Sequence, residues 1–272
     1  MIILIQPERL RQHFEVALEG SGGDPSKIRP MTEFPAAQPG WPSATVLATG
    51  AWKAELVTSV LRALALYPEA TLVDIGCNIG QFTVMAATLG HRVVAVDTMA
   101  DNLAYIHNSL VADGREGLVT LVHSSVSNDE DLKLYPVVDE ANPGSIRLVQ
   151  LDNIEAINYM KALGPPTPSI LLPDLFSSAP SSTLIVKMDL EGWECKALLV
   201  PGVFHTAKFI PYIFMVLPTS PANCVNLEDL LELFAAQGYT ARYPTTLRAV
   251  EAAALHTPLQ DVLWVHKQAH MI

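Results

Sequence analysis

One short stretch of the chain concentrates residues that could bind a ligand. Asp74, Gly76, Asn78 and Gly80 directly follow an apolar run, and a helical period of apolar residues begins after them. Glycine adopts backbone dihedrals that other residues avoid, and it lets the chain approach a ligand closely. In open α/β sheets, ligands bind beyond the carboxyl ends of the strands, where such a turn lies. The pattern therefore predicts a binding turn between a strand and a helix.

A carboxylate at the end of the next apolar run supports this interpretation. Asp97 follows Gly76 by about twenty residues, where a carboxylate can accept both ribose hydroxyls of an adenosine-containing cofactor. The dinucleotide pattern G-x-G-x-x-G fails, because Asn78 and Gln81 stand where two of its glycines belong. Asp74 would repel a pyrophosphate but could receive the cationic amino group of a methionine moiety. These residues favour S-adenosylmethionine over a nicotinamide dinucleotide.

Structural roles stay open for the same residues. Asp74 could be a polar cap on the following loop, and Asp97 could resemble a helix N-cap. Cys77 is expected to serve the turn as a small loop residue, because no histidine adjoins it and no cysteine-based motif is present.

A second cluster of charged residues follows another apolar run. Lys187, Asp189, Glu191 and Glu194 lie within one predicted strand-to-helix turn, and the period of two along a strand puts Lys187 and Asp189 on the same side of the sheet. Methyl transfer to a hydroxyl gains from a base that removes the hydroxyl proton. Asp189 is the first candidate for that base or for orienting the acceptor, with Lys187 paired to it. In a purely structural alternative, Asp189 and Glu191 cap the next helix and Lys187 balances their charge.

The elements that must position these residues alternate along the chain. Short apolar runs predict strands at 72–75, 93–97, 118–123, 184–188, 210–217 and 262–265. Helical periods predict helices at 51–66, 79–89, 101–112, 153–163 and 227–236. Residues 132–149 predict a hairpin, and the proline-rich residues 164–180 a connecting loop and candidate lid. This order indicates parallel βαβ units, whose helices cover both faces of a sheet.

Composition limits the domain count and the partners. The chain has 272 residues, of which 50% are hydrophobic, so we expect one domain at 51–272 after an N-terminal helical and loop extension at 1–50. The net charge of -11 opposes nucleic-acid binding. No segment is long and apolar enough to suggest a membrane span, which makes a cytoplasmic location the default. Three cysteines without CxxC spacing and no convincing His/Asp/Glu spacing predict no required metal. Nothing in the sequence specifies an oligomeric state.

Two segments resemble the FkbM-type methyltransferases. Residues 74–83, Asp-Ile-Gly-Cys-Asn-Ile-Gly-Gln-Phe-Thr, are similar to that family's first motif, in which asparagine replaces the middle glycine of the usual methyltransferase turn. Residues 186–194, Val-Lys-Met-Asp-Leu-Glu-Gly-Trp-Glu, are similar to its Lys-Ile-Asp-Val-Glu-Gly-x-Glu segment. Weaker correspondences are Asn102, Asn108, residues 125–127 and residues 151–154. The resemblance covers roughly residues 70–267.

The resemblance implies a fold, a cofactor and a set of contacts. The fold would be the Rossmann-like class I methyltransferase fold, with a mostly parallel seven-stranded sheet and helices on both faces. The activity would be methyl transfer from S-adenosylmethionine, with a hydroxyl on a small molecule or glycan as the expected acceptor. The cofactor-binding residues would be Asp74, Gly76, Cys77, Asn78 and Gly80 on the methionine side, Asp97 at the ribose, Ser125 or Val126 near the adenine, and Asp189.

The chain departs from the family at one strand. The family often carries a glutamate at the end of the strand written here at 212–217, Tyr-Ile-Phe-Met-Val-Leu, and no acid stands there. A non-catalytic cofactor-binding or interaction protein is therefore an alternative, whereas a nicotinamide-dependent oxidoreductase has only the βαβ pattern and Asp97 in its favour. Acceptor contacts are expected from residues 20–50 and 164–182, because variable loops form substrate pockets in this architecture.

Overall fold

A mostly parallel sheet forms the centre of the protein. The computed structural model describes residues 53–130, 132–139, 142–150, 162–217, 227–251, 254–255 and 261–271. The strands in these residues are β1 (Thr71–Ile75), β2 (Arg92–Asp97), β3 (Val119–His123), β4 (Ser125–Val126), β5 (Leu134–Asp139), β6 (Asn142–Gln150), β7 (Ser169–Ile170), β8 (Thr183–Met188), β9 (Phe209–Val216), β10 (Tyr239–Arg242) and β11 (Asp261–His266). The helices are α1 (Ala54–Leu66), α2 (Gln81–Thr88), α3 (Ala100–Ala112), α4 (Leu172–Ser178), α5 (Glu194–Leu198) and α6 (Leu227–Ala236), with a short 3₁₀ helix at Glu116–Leu118.

Seven strands pair in the order β10-β11-β9-β8-β1-β2-β3. The neighbours from β9 to β3 run parallel, and β11 is antiparallel to both β9 and β10. This arrangement confirms the predicted Rossmann-like, class I methyltransferase fold with a mostly parallel seven-stranded sheet. The six strands and four of the five helices expected from the sequence are present close to their predicted bounds.

Both faces of the sheet are covered, because its central strands are apolar on both sides. Every residue of β1 is buried, and Leu72 belongs to one core cluster while Val73 belongs to the other. Helices α1, α2 and α3 pack on the face of Leu72, and α4, α5 and α6 pack on the face of Val73. Strands buried on both faces read as continuous apolar runs, which is how they were recognisable in the sequence.

The strand order also creates the site. From β1 the chain proceeds to β2 and β3 on one side, and it later returns to β8 and β9 on the other side. A reversal of this kind opens a crevice beyond the carboxyl ends of the central strands. The turn after β1 lies at this reversal.

The hairpin predicted at 132–149 is present as the antiparallel pair of β5 and β6. The loop predicted at 164–180 is wrong over part of its length, because it contains β7 and helix α4. Pro173 stands in the first turn of α4, where a missing N–H costs no helical hydrogen bond. Strand β10 and the short β4–β7 pair were not foreseen; each is held by pairing with a segment distant in sequence.

Several expectations concern residues outside those described. They include the extension at 1–50, the weak correspondence at 151–154 and nearly all of the helix predicted at 153–163. Within the described residues, none of the helices has the length and apolar character needed to cross a membrane. Cys77 is a free, buried thiol, while Cys195 is disulfide-bonded.

Candidate functional site

A cavity of about 340 Å³ lies at the carboxyl edge of the sheet. Its wall is formed by the turn after β1, the ends of β2, β8 and β9, the first residue of β11, and parts of β6, α1, α2 and α3. This position agrees with the rule that open α/β sheets bind ligands at the strand reversal. The lining combines carboxylates, lysines and apolar side chains.

The turn after β1 requires glycine at its first position. Gly76 has φ 70°, and a Cβ placed there would lie 1.8 Å from the backbone oxygen of Asp189. The two segments are this close because the amide of Asp189 donates a 3.0 Å hydrogen bond to the carbonyl of Ile75. Gly76 therefore joins the turn after β1 to the turn after β8, and both line the cavity.

The backbone amides of this turn are already hydrogen-bonded within the protein. Gly76 and Cys77 both donate to the carbonyl of Val96, at 2.9 and 3.0 Å, and Gly80 donates to the carbonyl of Cys77 at 2.9 Å. Asn78 donates to Asp97 Oδ2 at 2.7 Å, and Ile79 donates to the side-chain oxygen of Asn78 at 2.8 Å. A loop that cradles a phosphate presents free N–H groups at a helix N-terminus. From Gly76 to Gly80 this turn presents none.

Asp97 lines the cavity at the end of β2. Besides the amide of Asn78, its carboxylate accepts hydrogen bonds from the amide of Met99 at 2.8 Å and from Asn102 Nδ2 at 3.1 Å. Burial raises the pKa of Asp97 to about 6, although these three hydrogen bonds favour the charged form. A carboxylate can accept about four hydrogen bonds, so Asp97 retains capacity for a ligand hydroxyl.

Asp74 lies behind the turn and not in the cavity wall. Its side chain is fully buried, Oδ2 accepts a 2.7 Å hydrogen bond from Thr83 Oγ1, and Oδ1 lies 3.4 Å from Lys187 Nζ. Asp74 and Lys187 are register partners on adjacent parallel strands, which explains their proximity. The Lys187 ammonium also donates a 2.7 Å hydrogen bond to the carbonyl of Gly76. The Asp74–Lys187 pair therefore stabilises the turn after β1 through the carbonyl of Gly76.

Burial and charge together set the protonation of Lys187 and Cys77. Burial alone would lower the pKa of Lys187, but the charges of Asp74 and Asp189 outweigh it and the pKa lies above its usual value. The charged form of Lys187 is therefore favoured, and its ammonium is engaged by Asp74 and by the carbonyl of Gly76. Burial, together with the charges of Asp97 and Asp74, raises the pKa of the Cys77 thiol, which stays protonated.

Glu194 organises the turn after β8. Its two carboxylate oxygens accept hydrogen bonds from the amides of Leu190, at 2.7 Å, and Gly192, at 3.0 Å. Burial and the charge of Asp189 raise the pKa of Glu194 to about 7. Glu194 begins helix α5 and does not line the cavity. Its hydrogen bonds hold the segment that carries Asp189 and Glu191, which both line the cavity.

Asp189 differs from the other carboxylates around the cavity. It lines the wall and is partly exposed, and within the described residues its carboxylate makes no hydrogen bond or ion pair. Asp97 and Asp74, by contrast, are engaged by neighbouring side chains or amides. With respect to the described residues, the Asp189 carboxylate can accept a proton or a hydrogen bond from a ligand.

The structure brings most of the predicted site residues to the cavity, but not all of them. Those that line it are Gly76, Cys77, Asn78, Asp97, Val126, Lys187 and Asp189. Asp74, Gly80 and Ser125 do not line it. A Cβ on Gly80 would lie 2.3 Å from Ile106 Cγ1, so this glycine serves the packing of α2 against α3. Ser125 bonds to the carbonyl of Pro168 at 3.1 Å, and its neighbour Ser124 reaches the cavity instead.

Other lining residues had no signal in the sequence. Lys53 and Asp261 are far apart in the sequence, and they form a 2.7 Å ion pair in the cavity wall. Ile146 and Leu148 reach the cavity from β6, where Trp193 Nε1 donates a 2.9 Å hydrogen bond to the carbonyl of Leu148. No described residue of 164–182 lines the cavity, so the expectation of acceptor contacts from that segment is wrong for this cavity. In the part of the chain that the structure describes, no three His, Cys, Asp or Glu residues group as metal ligands.

Comparisons with known proteins find solved structures that are similar to this chain at low sequence identity. No protein-family model matches the sequence, and no curated protein matches it. Among solved structures, the chain is similar to a TehB-like SAM-dependent methyltransferase from Corynebacterium glutamicum, with 13% identity, 82% of this chain and 93% of that chain covered, and a TM-score of 0.45. A precorrin-6y C5,15-methyltransferase from Geobacter metallireducens has 13% identity, coverage of 78% and 88%, and a TM-score of 0.38. A SAM-dependent O-methyltransferase from Thermotoga maritima has 11% identity, coverage of 84% and 72%, and a TM-score of 0.40. At these values the function of this chain rests on its own site.

Proposed function

We propose that this chain is an S-adenosylmethionine-dependent methyltransferase of the FkbM type, which methylates a hydroxyl oxygen of a small molecule or glycan. One observation carries the proposal. The turn after β1 has no free amide for a phosphate, while the carboxylates of Asp97 and Asp189 line the cavity next to it. Such a site disfavours a dinucleotide and suits a nucleoside that carries positive charge.

The cofactor contacts follow from the positions of the lining residues. Asp97 would accept hydrogen bonds from the ribose hydroxyls, and Val126 would contact the adenine. Gly76, Cys77 and Asn78 would contact the methionine moiety, which has a cationic ammonium group. Asp74 and Gly80 would act from behind this surface by holding the turn in shape. Lys187 would do the same through its hydrogen bond to the Gly76 carbonyl.

Asp189 is the proposed catalytic base or acceptor-orienting residue. When bound, S-adenosylmethionine supplies an electrophilic methyl group. The acceptor hydroxyl becomes a better nucleophile when a carboxylate accepts its proton, a contribution of about 10²–10⁴ in rate. Asp189 has a carboxylate without a protein partner in the described residues, and its backbone is fixed by the bond to Ile75. The proton would pass from Asp189 to solvent after transfer.

Calorimetry tests the cofactor assignment. S-adenosylmethionine and S-adenosylhomocysteine should bind, and NAD should not compete with them. Asp97→Ala should weaken binding by about tenfold or more, because a buried acceptor of hydroxyl hydrogen bonds is lost. Absence of S-adenosylmethionine binding at high micromolar concentration would refute the proposal.

Transfer of a labelled methyl group to a panel of hydroxylated metabolites and glycans tests the activity. Asp189→Asn should lower kcat about 100-fold or more while leaving the affinity for S-adenosylhomocysteine unchanged. Asp229→Asn is the matched control, because Asp229 is an exposed carboxylate on α6. If Asp189→Asn lowers thermal stability and cofactor affinity together with kcat, the residue has the structural role. Cofactor binding without transfer to any member of the panel would favour the non-catalytic alternative.

A further inference from the structure

Strand β11 supplies a carboxylate where β9 lacks one. Strand β9 ends with Met215 and Val216, neither of which carries a charge. Asp261 is the first residue of β11 and is the register partner of Val216. Because β11 runs antiparallel to β9, its first residue lies at the carboxyl edge of the sheet. Asp261 lines the cavity at this point.

Lys53 holds this carboxylate in place. Its Nζ lies 2.7 Å from Asp261 Oδ1, and both side chains are partly buried, with 31% and 26% of their surfaces exposed. Lys53 directly precedes α1 in a left-handed conformation with φ 49°. Both residues line the cavity, so the ion pair forms part of its wall and not a remote surface contact.

The surroundings of the pair are apolar. Phe214, Met215 and Val216 of β9 line the cavity on the side of β1 opposite to Asp97 in the strand order, and Leu56, three residues after Lys53, lines it as well. Adjacent strands lie about 4.8 Å apart, so Asp261 on β11 is about 14 Å from the β1 position across the sheet. This end of the cavity therefore lies away from the proposed nucleoside contacts.

The charges at this end are unfavourable for an anion. Among the described lining residues, the ammonium groups are Lys53, paired with Asp261, and Lys187, paired with Asp74. The carboxylate of Asp189 adds a negative charge that neither lysine neutralises by an ion pair. A carboxylate or phosphate entering here would meet negative charge without a free cation.

We propose that the Lys53–Asp261 pair and the apolar wall beside it form the acceptor subsite, which selects a neutral or cationic hydroxylated molecule with an apolar body over an anionic one. In this subsite Asp261 accepts a hydrogen bond from the acceptor, and Lys53 limits its negative charge. The inference rests on the proposed function, because it assigns the second substrate of the same site.

Methionine methyl groups can report separately on the proposed cofactor site and on the proposed acceptor subsite. The protein has eight methionines, of which Met99 lines the cavity beside Asp97 and Met215 lines it beside Asp261. In protein labelled with ¹³C-methyl methionine, S-adenosylhomocysteine should shift the Met99 resonance. Benzyl alcohol, benzylamine and benzoate are probes of similar size and different charge. Each probe is titrated to about 10 mM, so that dissociation constants in the millimolar range or lower are detected.

The proposal expects benzyl alcohol and benzylamine to shift the Met215 resonance and to bind about tenfold or more tightly than benzoate. Asp261→Asn should reduce this preference, whereas Lys53→Met should increase it, since it leaves Asp261 without a counter-ion. A merely structural pair would change the preference in the same direction in both variants. Asp229→Asn should leave it unchanged.

Three results would overturn the inference: no shift of Met215 with any probe, equal affinity for benzoate, or an unchanged preference in Asp261→Asn. Failure of the cofactor assignment gives a different result, because S-adenosylhomocysteine would then leave Met99 unshifted while the probes are still read at Met215.

Discussion

The carboxylate of Asp97 accepts a 2.7 Å hydrogen bond from the backbone amide of Asn78, which links the end of β2 to the turn after β1. The two residues belong to separate strand-to-helix connections, yet one hydrogen bond ties them together at the cavity wall. The proposed ribose-binding group and the proposed methionine-binding turn therefore depend on each other. A change at Asp97 is expected to alter both.

Cofactor binding should weaken at low pH because of Asp97. Burial places its pKa at about 6, above the ordinary value of 3.8, so the carboxylate becomes protonated as pH falls through 6. Protonated Asp97 has fewer acceptor sites for hydroxyl donors. The Kd for S-adenosylhomocysteine should be constant above about pH 7 and should rise by up to about tenfold per unit below pH 6. Calorimetry across this range measures it.

Asp97→Asn is the control for this pH dependence. The variant should bind S-adenosylhomocysteine more weakly, and its Kd should not change between pH 5 and about 8. If the Kd of Asp97→Asn for S-adenosylhomocysteine rises at low pH as it does in the wild type, the titration belongs to another group.

Folding stability should show the opposite trend in the wild type. The carboxyl group of Asp97 binds a proton more readily in the folded state than in the unfolded state, so its contribution to the free energy of unfolding decreases as pH rises from about 4 to 6.

Gly76→Ala should abolish cofactor binding, whereas Gly90→Ala should not. Both glycines have positive φ, but a Cβ on Gly76 meets the Asp189 backbone at 1.8 Å, and a Cβ on Gly90 meets nothing within 4 Å. Gly90→Ala should therefore cost only the left-handed strain of about 1–2 kcal/mol. Gly76→Ala should cost about 3 kcal/mol or more in the free energy of unfolding. Urea denaturation and calorimetry measure both; equal effects would show that the close approach is unimportant.

Lys187→Met should destabilise the protein strongly. The substitution leaves the fully buried Asp74 without its ion-pair partner and removes the hydrogen bond to the Gly76 carbonyl. Loss of one partner of a buried ion pair costs about 3–5 kcal/mol. The double variant Asp74→Asn/Lys187→Met should recover a substantial part of this loss, because no buried charge remains uncompensated. If the two substitutions simply add in urea denaturation, the pair is not coupled.

Glu194→Gln should loosen the turn after β8. Glutamine has only one acceptor oxygen, so one of the amides of Leu190 and Gly192 loses its partner. The expected cost is about 1–3 kcal/mol, with a fall in kcat because Asp189 is carried by the same turn. Glu251→Gln is the matched control, because Glu251 is exposed. Thermal denaturation and methyl-transfer assays that show no difference between the two variants would contradict the assigned role of Glu194.

The sequence by itself determined the local structure around the site. Apolar runs predicted β1, β2, β3, β8, β9 and β11, because strands buried on both faces must be apolar throughout. The turn from Gly76 to Gly80 and the carboxylate of Asp97 were recognisable because the residues proposed to bind the cofactor lie within one βαβ unit of about thirty residues. The order of these elements was sufficient to predict a mostly parallel sheet.

Only the tertiary structure decided which side chains share the cavity. Asp74 faces Lys187 because the two residues are register partners on the neighbouring strands β1 and β8, although they are far apart in the sequence. Asp261 reaches the proposed acceptor end of the cavity because β11 enters the sheet antiparallel beside β9. Strand order and register arise from pairing between distant segments, which periodicity along one segment does not report. Helix α4 likewise escaped prediction, since its single proline, Pro173, is tolerated because it stands in the first turn of the helix.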